Sequence, residues 1–169
     1  MLQAYLKQRN LLDFQDLMLY RVHEILLVAS PYDAFILEQD GRLTEQILHE
    51  YIGMNFNYAP RLWQANSAKT ALEMLSQRKH DIVIVMMRIA DMNPLSFGRK
   101  VKKLYPRKPV ILLAFDESEV KQLPEKALKN SIDNIFIWSG NANVFPAIIK
   151  QIEDRKNSKR DILEGDIRA

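Results

Sequence analysis

Short apolar runs alternate with amphipathic stretches along this chain, and this alternation constrains the fold more than any other feature. Four runs carry almost no polar side chains, and a weaker run contains Gln64. The five runs are Glu24–Ala29, Arg61–Ala65, Asp81–Met87, Pro109–Phe115 and Asn134–Trp138. Strands that are apolar on both faces are typical of parallel sheets covered by helices on both sides. The sequence therefore predicts five buried, parallel strands.

The stretches between these runs have helical spacing of their apolar residues. The predicted helices are Leu2–Tyr20, Thr44–Tyr51, Ser67–Gln77, Leu95–Leu104, Ser118–Leu128 and Asn143–Asp154. Pro124 interrupts one of them, and the last carries Phe145, Ile148, Ile149 and Ile152 on one face. One helix followed by five strand–helix repeats predicts a flavodoxin-like, three-layer α/β/α fold of strand order 2-1-3-4-5 with an extra N-terminal helix. In such sheets, function gathers at the carboxyl ends of the strands.

The predicted elements divide the chain into three parts. Residues 1–21 form an N-terminal helical extension, residues 22–154 form the α/β domain, and residues 155–169 form a linker toward a domain absent from this chain. We expect the last helix to continue or restart through Arg160 toward Glu164, with Gly165 as its stop signal.

Composition excludes several classes of function. The chain has no cysteine, which rules out disulfides and thiolate metal sites and fits a reducing, cytoplasmic setting. Its net charge of +3 is too small to imply nucleic-acid binding. The apolar runs are too short to span a membrane, and neither GxGxxG nor GxxxxGK[ST] occurs.

Three stretches match one family in the correct order. Asp81 through Asp91-Met92-Asn93-Pro94-Leu95 to Phe97 resembles the third strand and following loop of response-regulator receiver (CheY-like) domains. Lys108–Leu113 resembles their fourth strand, and Ser131–Ile137 resembles the approach to their fifth. The resemblance covers residues 22–154. The segment from Phe14–Met18 to Asp33 is also similar to N-terminal pseudo-receivers of large bacterial signalling proteins, some of them linked to phosphoenolpyruvate-utilising enzyme domains.

The resemblance implies a phosphorylation site, but its five key positions are all changed here. The family has two acidic Mg²⁺ ligands after the first strand, a phosphoacceptor aspartate ending the third, a Ser or Thr ending the fourth and a Lys ending the fifth. The matching residues are Ala29, Ser30, Met86, Ala114 and Trp138. A thioether cannot accept a phosphoryl group, and Mg²⁺ would lack its carboxylates. We therefore expect a non-catalytic pseudo-receiver without a cofactor or metal, acting as a signalling and protein-interaction module in a larger two-component regulator.

An alternative is phosphorylation, or binding of a cation or small ligand, at a non-standard site. Asp33, Asp91 and Asp116 are candidates for the rim of the old site. Helix capping and turns explain Asp33 and Asp116 better, and Asp91 fits a turn before a helix. The long first connection contains Phe35-Ile36-Leu37. Either it folds over the sheet end as a cover, or these residues belong to a first helix that begins near Asp33; both interpretations remain open.

Partners are expected on the same longer chain or in another signalling protein. Receivers commonly pair through the fourth helix, fifth strand and fifth helix, which also allows a homodimer here. The matching contact residues are Lys121, Lys129, Asp133 and Phe145. A basic cluster is interpreted as a solvated helix face, with contact to phosphate or an acidic partner as the alternative: Arg99, Lys100, Lys102, Lys103, Arg107 and Lys108. His23, His49 and His80 have no ligand-like spacing and are interpreted as surface or boundary residues.

Overall fold

The structure is a computed structural model that describes residues 20–39, 42–51, 59–140 and 143–168. The helix predicted over Leu2–Tyr20, and with it most of the 1–21 extension, lies outside the described residues. Within the described ranges, none of the helices combines the length and apolar composition that crossing a bilayer demands.

A five-stranded parallel sheet forms the centre of the domain. Its strands are β1 (Glu24–Val28), β2 (Arg61–Ala65), β3 (Ile82–Met86), β4 (Val110–Ala114) and β5 (Asn134–Ile137). They pair in the order β2-β1-β3-β4-β5, and all four pairings are parallel. This confirms the predicted flavodoxin-like topology, and each predicted strand is shortened by at most one residue at either end.

Helices cover both faces of the sheet. They are α1 (Pro31–Gln39), α2 (Leu43–Tyr51), α3 (Ala68–Gln77), α4 (Pro94–Leu104), α5 (Glu117–Lys121), α6 (Glu125–Ser131) and α7 (Val144–Arg168). Successive strand residues face opposite sides, so Leu27 packs in a core beneath α1, α2 and α7, while Leu26 packs in a second core beneath α3 and α4. The break predicted at Pro124 is confirmed, because α5 and α6 flank this residue.

The start of the first connection is helical, which confirms the second interpretation of Phe35-Ile36-Leu37. These residues lie in α1, where Leu37 is buried in the core and Phe35 is exposed. Pro31 is the first residue of α1, where a missing backbone N–H costs nothing. The Ser30 hydroxyl accepts the backbone N–H of Asp33 at 3.1 Å. Ser30 therefore caps the N-terminus of this helix.

The last helix continues to Arg168, as predicted for the tail, but Gly165 does not end it. Glycine ends a helix only where the backbone leaves helical dihedral angles. Inside a helix, a glycine lowers the stability of the helix by about 1 kcal/mol relative to alanine. The chain entering β1 is bonded to α7: the Tyr20 N–H donates to Asn157 Oδ1 at 2.7 Å, and the Val22 N–H donates to Glu153 Oε1 at 3.0 Å. These bonds fix the middle of α7 to the sheet.

Candidate functional site

The five predicted site positions lie at the carboxyl edge of the sheet. Ala29 and Ser30 follow β1, Met86 and Ala114 end β3 and β4, and Trp138 follows β5. Because the strands are parallel, their carboxyl ends meet at one edge. All of these residues except the half-buried Ser30 are buried, and Met86 is only 1% exposed.

Apolar packing fills this edge. Met86 belongs to the same buried cluster as Ala29 and Trp138, and its register partner on β4 is Leu113. The Phe115 ring meets the Trp138 ring edge-on, with centroids 5.4 Å apart. The Trp138 backbone N–H donates to the Ala114 carbonyl at 2.8 Å, which continues the hydrogen-bond ladder beyond β5. The prediction that Met86 is buried is therefore confirmed.

Ser30 joins two loops at this edge. Its backbone N–H donates to the Arg88 carbonyl at 2.9 Å, and its hydroxyl caps α1. These bonds give Ser30 a structural role at the junction of β1 and α1.

A charged pair that the sequence did not predict lies at the same edge. Asp33, in the first turn of α1, is 1% exposed. Arg88, in the loop after β3, donates from Nη2 to Asp33 Oδ1 at 2.7 Å and from Nε to Oδ2 at 3.3 Å. This bidentate geometry is the strong form of a guanidinium–carboxylate pair, and it raises the pKa of Arg88. The capping role predicted for Asp33 is wrong, because Ser30 caps α1 and the Asp33 carboxylate binds Arg88.

The other two aspartates cap helices. Asp91 accepts the backbone N–H groups of Ala68 at 2.7 Å and Lys69 at 3.0 Å, and these bonds lower its pKa. Its carboxylate thus lies at the positive end of α3, where negative charge is favourable. Asp116 accepts the Ser118 N–H at 3.0 Å, which agrees with its predicted capping role.

The residues present do not fit a magnesium ion. Apolar side chains or Ser30 stand where carboxylates would be required, and the buried carboxylate of Asp33 is already engaged by Arg88. Across the described part of the chain, no three His, Cys, Asp or Glu side chains come together as metal ligands would. Mg²⁺ requires hard carboxylate and carbonyl oxygens, and the side chains at these five positions do not supply them.

The predicted pairing face is partly wrong. Phe145 is 1% exposed and packs in the core, because it belongs to the apolar face of α7. Asp133 is exposed, but its carboxylate already accepts the Val110 N–H at 2.7 Å and pairs with Lys102. Lys121 and Lys129 are exposed but pair within their own helices, with Glu117 and Glu125 respectively.

The histidines and basic residues also divide into different roles. His23 and His49 are exposed, but His80 is fully buried, so its interpretation as a surface or boundary residue is wrong. Its ring lies edge-on to Trp63, with centroids 6.3 Å apart, and its Nδ1 is 3.1 Å from the Arg78 carbonyl oxygen. Burial lowers the pKa of His80. In the basic cluster, Lys102 is paired and Lys108 bonds the His80 carbonyl, so the cluster is more than a solvated face.

Comparisons with known proteins agree on the fold. No family model and no curated protein matches the chain. The receiver domain of an HD domain-containing protein from Pseudomonas fluorescens aligns over 85% of this chain and 96% of its own, with 21% identity and a TM-score of 0.56. The chemotaxis response regulator CheY4 of Vibrio cholerae aligns over 78% and 98%, with 13% identity and a TM-score of 0.58. TrrA from Thermotoga maritima, solved with Mg²⁺-BeF, aligns over 77% and 98%, with 18% identity and a TM-score of 0.59. The chain therefore has the fold of the response-regulator receiver (CheY-like) domains.

Proposed function

We propose that this chain is a pseudo-receiver: a receiver fold that accepts no phosphoryl group and works as a protein-interaction module in a signalling protein. The observation that carries this proposal is the burial of Met86 at the phosphoacceptor position. A phosphoryl donor must reach a nucleophilic oxygen, and this position offers a buried thioether instead. The neighbouring positions supply neither metal ligands nor a lysine.

The Asp33–Arg88 pair supports the same proposal. Clustered carboxylates repel one another and need a cation, whereas here one buried carboxylate is neutralised by the protein's own guanidinium. The buried Asp33 carboxylate thus has its counter-ion within the protein and needs no added cation. This supports a domain whose state depends on neither magnesium nor phosphorylation.

We further propose that α7 sets the position of a neighbouring domain and takes no part in a chemical reaction. Residues 155–168 continue the same helix that packs on the sheet, and the chain entering β1 is bonded to it at Glu153 and Asn157. A helix fixed in this way can hold a following domain at a set distance and angle. In this proposal the partners are other domains of a longer chain or a separate signalling protein. A homodimer through the α6–β5–α7 face is also proposed, but the buried Phe145 is not one of its contact residues.

Phosphorylation or cation binding elsewhere on the edge has weaker support. Asp33, Asp91 and Asp116 are each committed to a different partner, and they share no common site.

Melting with Mg²⁺ and beryllofluoride, an analogue of the phosphoryl group, tests the proposal. A ligand raises the melting temperature only if it binds the native state. We expect no change for this protein, while TrrA, whose structure holds Mg²⁺-BeF, serves as the positive control. A dose-dependent stabilisation of this protein would contradict the proposal, and its loss in Asp33→Asn, Asp91→Asn or Asp116→Asn would locate the new site.

A further inference from the structure

A cleft lies at the amino-terminal end of the sheet, opposite the edge that holds Met86. It has a volume of about 460 Å³ and is bounded by Tyr20, by the residues before β3 and by the loop that leads from α4 to β4. Lys156 reaches it from α7. This volume falls within the range of roughly 300–1,000 Å³ that is usual for small-molecule sites.

The side chains that line the cleft carry an excess of positive charge. Four cationic side chains line it, against one carboxylate: Lys79, Arg107, Lys108 and Lys156, against Asp81. Among the described residues, none of the four cations forms an ion pair. The excess positive charge is therefore not compensated by the part of the protein that the structure describes.

The single carboxylate is already in use. Asp81 Oδ2 accepts the backbone N–H groups of His23 at 2.8 Å and Glu24 at 2.9 Å, and Oδ1 accepts the Tyr20 hydroxyl at 3.1 Å. These three bonds tie Asp81 to the chain entering β1. It cannot turn toward a lysine without breaking them.

Aromatic rings hold two of the lysines in place. Lys156 Nζ lies 4.4 Å from the centroid of the Tyr20 ring and 3.3 Å from its hydroxyl oxygen. Lys108 Nζ lies 5.2 Å from the centroid of the Tyr105 ring and donates to the His80 carbonyl. Cation–π contacts of this kind fix an ammonium group without neutralising it. The ammonium groups of Lys108 and Lys156 are thus held in place before any ligand arrives.

The pKa values of Lys108 and Lys156 agree with an excess of positive charge in the cleft. Burial is the main cause that lowers the pKa of both Lys108 and Lys156, and Asp81 opposes it. Repulsion from Lys79 lowers both further. An anion in the cleft would relieve this repulsion.

We propose that this cleft binds a small anion that carries phosphate. Phosphate offers several acceptor oxygens to Lys156, Lys79 and Arg107, and charge-assisted bonds of this type are the strong ones. Leu104, Pro106 and Pro109 supply apolar walls that suit a compact ligand rather than an extended acidic chain. The site lies at the opposite end of the sheet from Met86, so it does not depend on the proposed function.

Titration of the full chain with inorganic pyrophosphate tests this site, with AMP as a second probe. Calorimetry at low ionic strength should show saturable binding, and amide shifts should concentrate at residues 79–81, 104–109 and 156. Tighter binding of AMP would indicate an organic phosphate ester, and tighter binding of pyrophosphate an inorganic one; both support the proposal.

Two lysines of α7 provide a matched pair of variants. Lys156→Met should weaken pyrophosphate binding about tenfold or more, the usual effect of one charge-assisted bond. Lys150→Met removes the same charge from an exposed position of the same helix and should change affinity by less than about twofold. Lys156→Arg should retain most of the binding, and melting curves confirm that each variant folds.

Equal weakening by Lys156→Met and Lys150→Met would overturn the proposal, because it would indicate diffuse attraction to a basic surface. The absence of heat and of localised shifts at millimolar pyrophosphate would overturn it as well, and that result needs no variant.

Discussion

Placing a carboxylate at the phosphoacceptor position should destabilise this protein rather than restore chemistry. Met86 is fully buried within the core, so Met86→Asp removes apolar burial worth about 1.5–3 kcal/mol. The new carboxyl adds the cost of an unpartnered polar group, about 1–3 kcal/mol more. We expect the free energy of unfolding at neutral pH to fall by about 3 kcal/mol or more, measured by urea denaturation with an unchanged slope.

Two matched variants separate the terms of this loss. Met86→Leu keeps the volume and should cost less than about 1.5 kcal/mol, while Met86→Asn keeps the shape of the aspartate without its charge. Burial raises the pKa of the introduced carboxyl above its unfolded value of about 3.9, so the unfolded chain loses its proton first as pH rises. Met86→Asp should therefore lose stability relative to Met86→Asn between pH 4 and neutrality. A loss of less than about 0.5 kcal/mol relative to Met86→Leu, or no dependence on pH, would refute the reasoning.

Three further predictions concern charged and titrating groups. Arg88→Met leaves the buried Asp33 without its cation and should lower the free energy of unfolding, measured by urea denaturation, by about 1–3 kcal/mol. This range is smaller than for a fully buried pair because Arg88 is largely exposed. The double variant Arg88→Met/Asp33→Asn should regain part of the lost stability, and no regain would contradict the pairing. Asp91→Ala removes two bonds to the first turn of α3 and should lower the midpoint of urea denaturation and increase hydrogen exchange at Ala68. Unchanged exchange would show that Ser67 alone is enough to cap α3. Nuclear magnetic resonance should give His80 a pKa below the ordinary 6.5, because burial disfavours its charged form. The unfolded chain then binds more protons than the folded one, so His80 stabilises the fold above pH 6.5 and this contribution is lost as pH falls. A measured pKa of 6.5 or higher would contradict the burial of His80.

The fold could be predicted because its strands are apolar on both faces. Runs such as Ile82–Met86 and Val110–Ala114 have few other stable arrangements, and right-handed crossovers then limit the strand order. The burial of Met86 followed from the same pattern. For Phe145, the helical spacing it shares with Ile148 and Ile152 predicts burial, and this signal outweighs its place in a family's pairing face.

The Asp33–Arg88 pair could not be predicted with the same certainty, although one signal was available. Asp33 follows β1 and Arg88 follows β3, and these strands are neighbours in the predicted order, so both residues lie at one edge. Whether their side chains meet depends on loop geometry, which periodicity does not encode. The same limit applies to His80, whose burial depends on Trp63 from β2, and to Gly165, whose helical conformation is set by its neighbours.

The proposed function requires that no residue of this chain accepts a phosphoryl group from a small donor. The most direct measurement is the intact mass of the full chain after incubation with acetyl phosphate and Mg²⁺, with TrrA treated in parallel as the comparison receiver. The buried thioether at position 86 and the engaged aspartates predict a mass identical to that of the untreated protein. A stoichiometric phosphoryl adduct, mapped to any aspartate of this chain, would contradict the account.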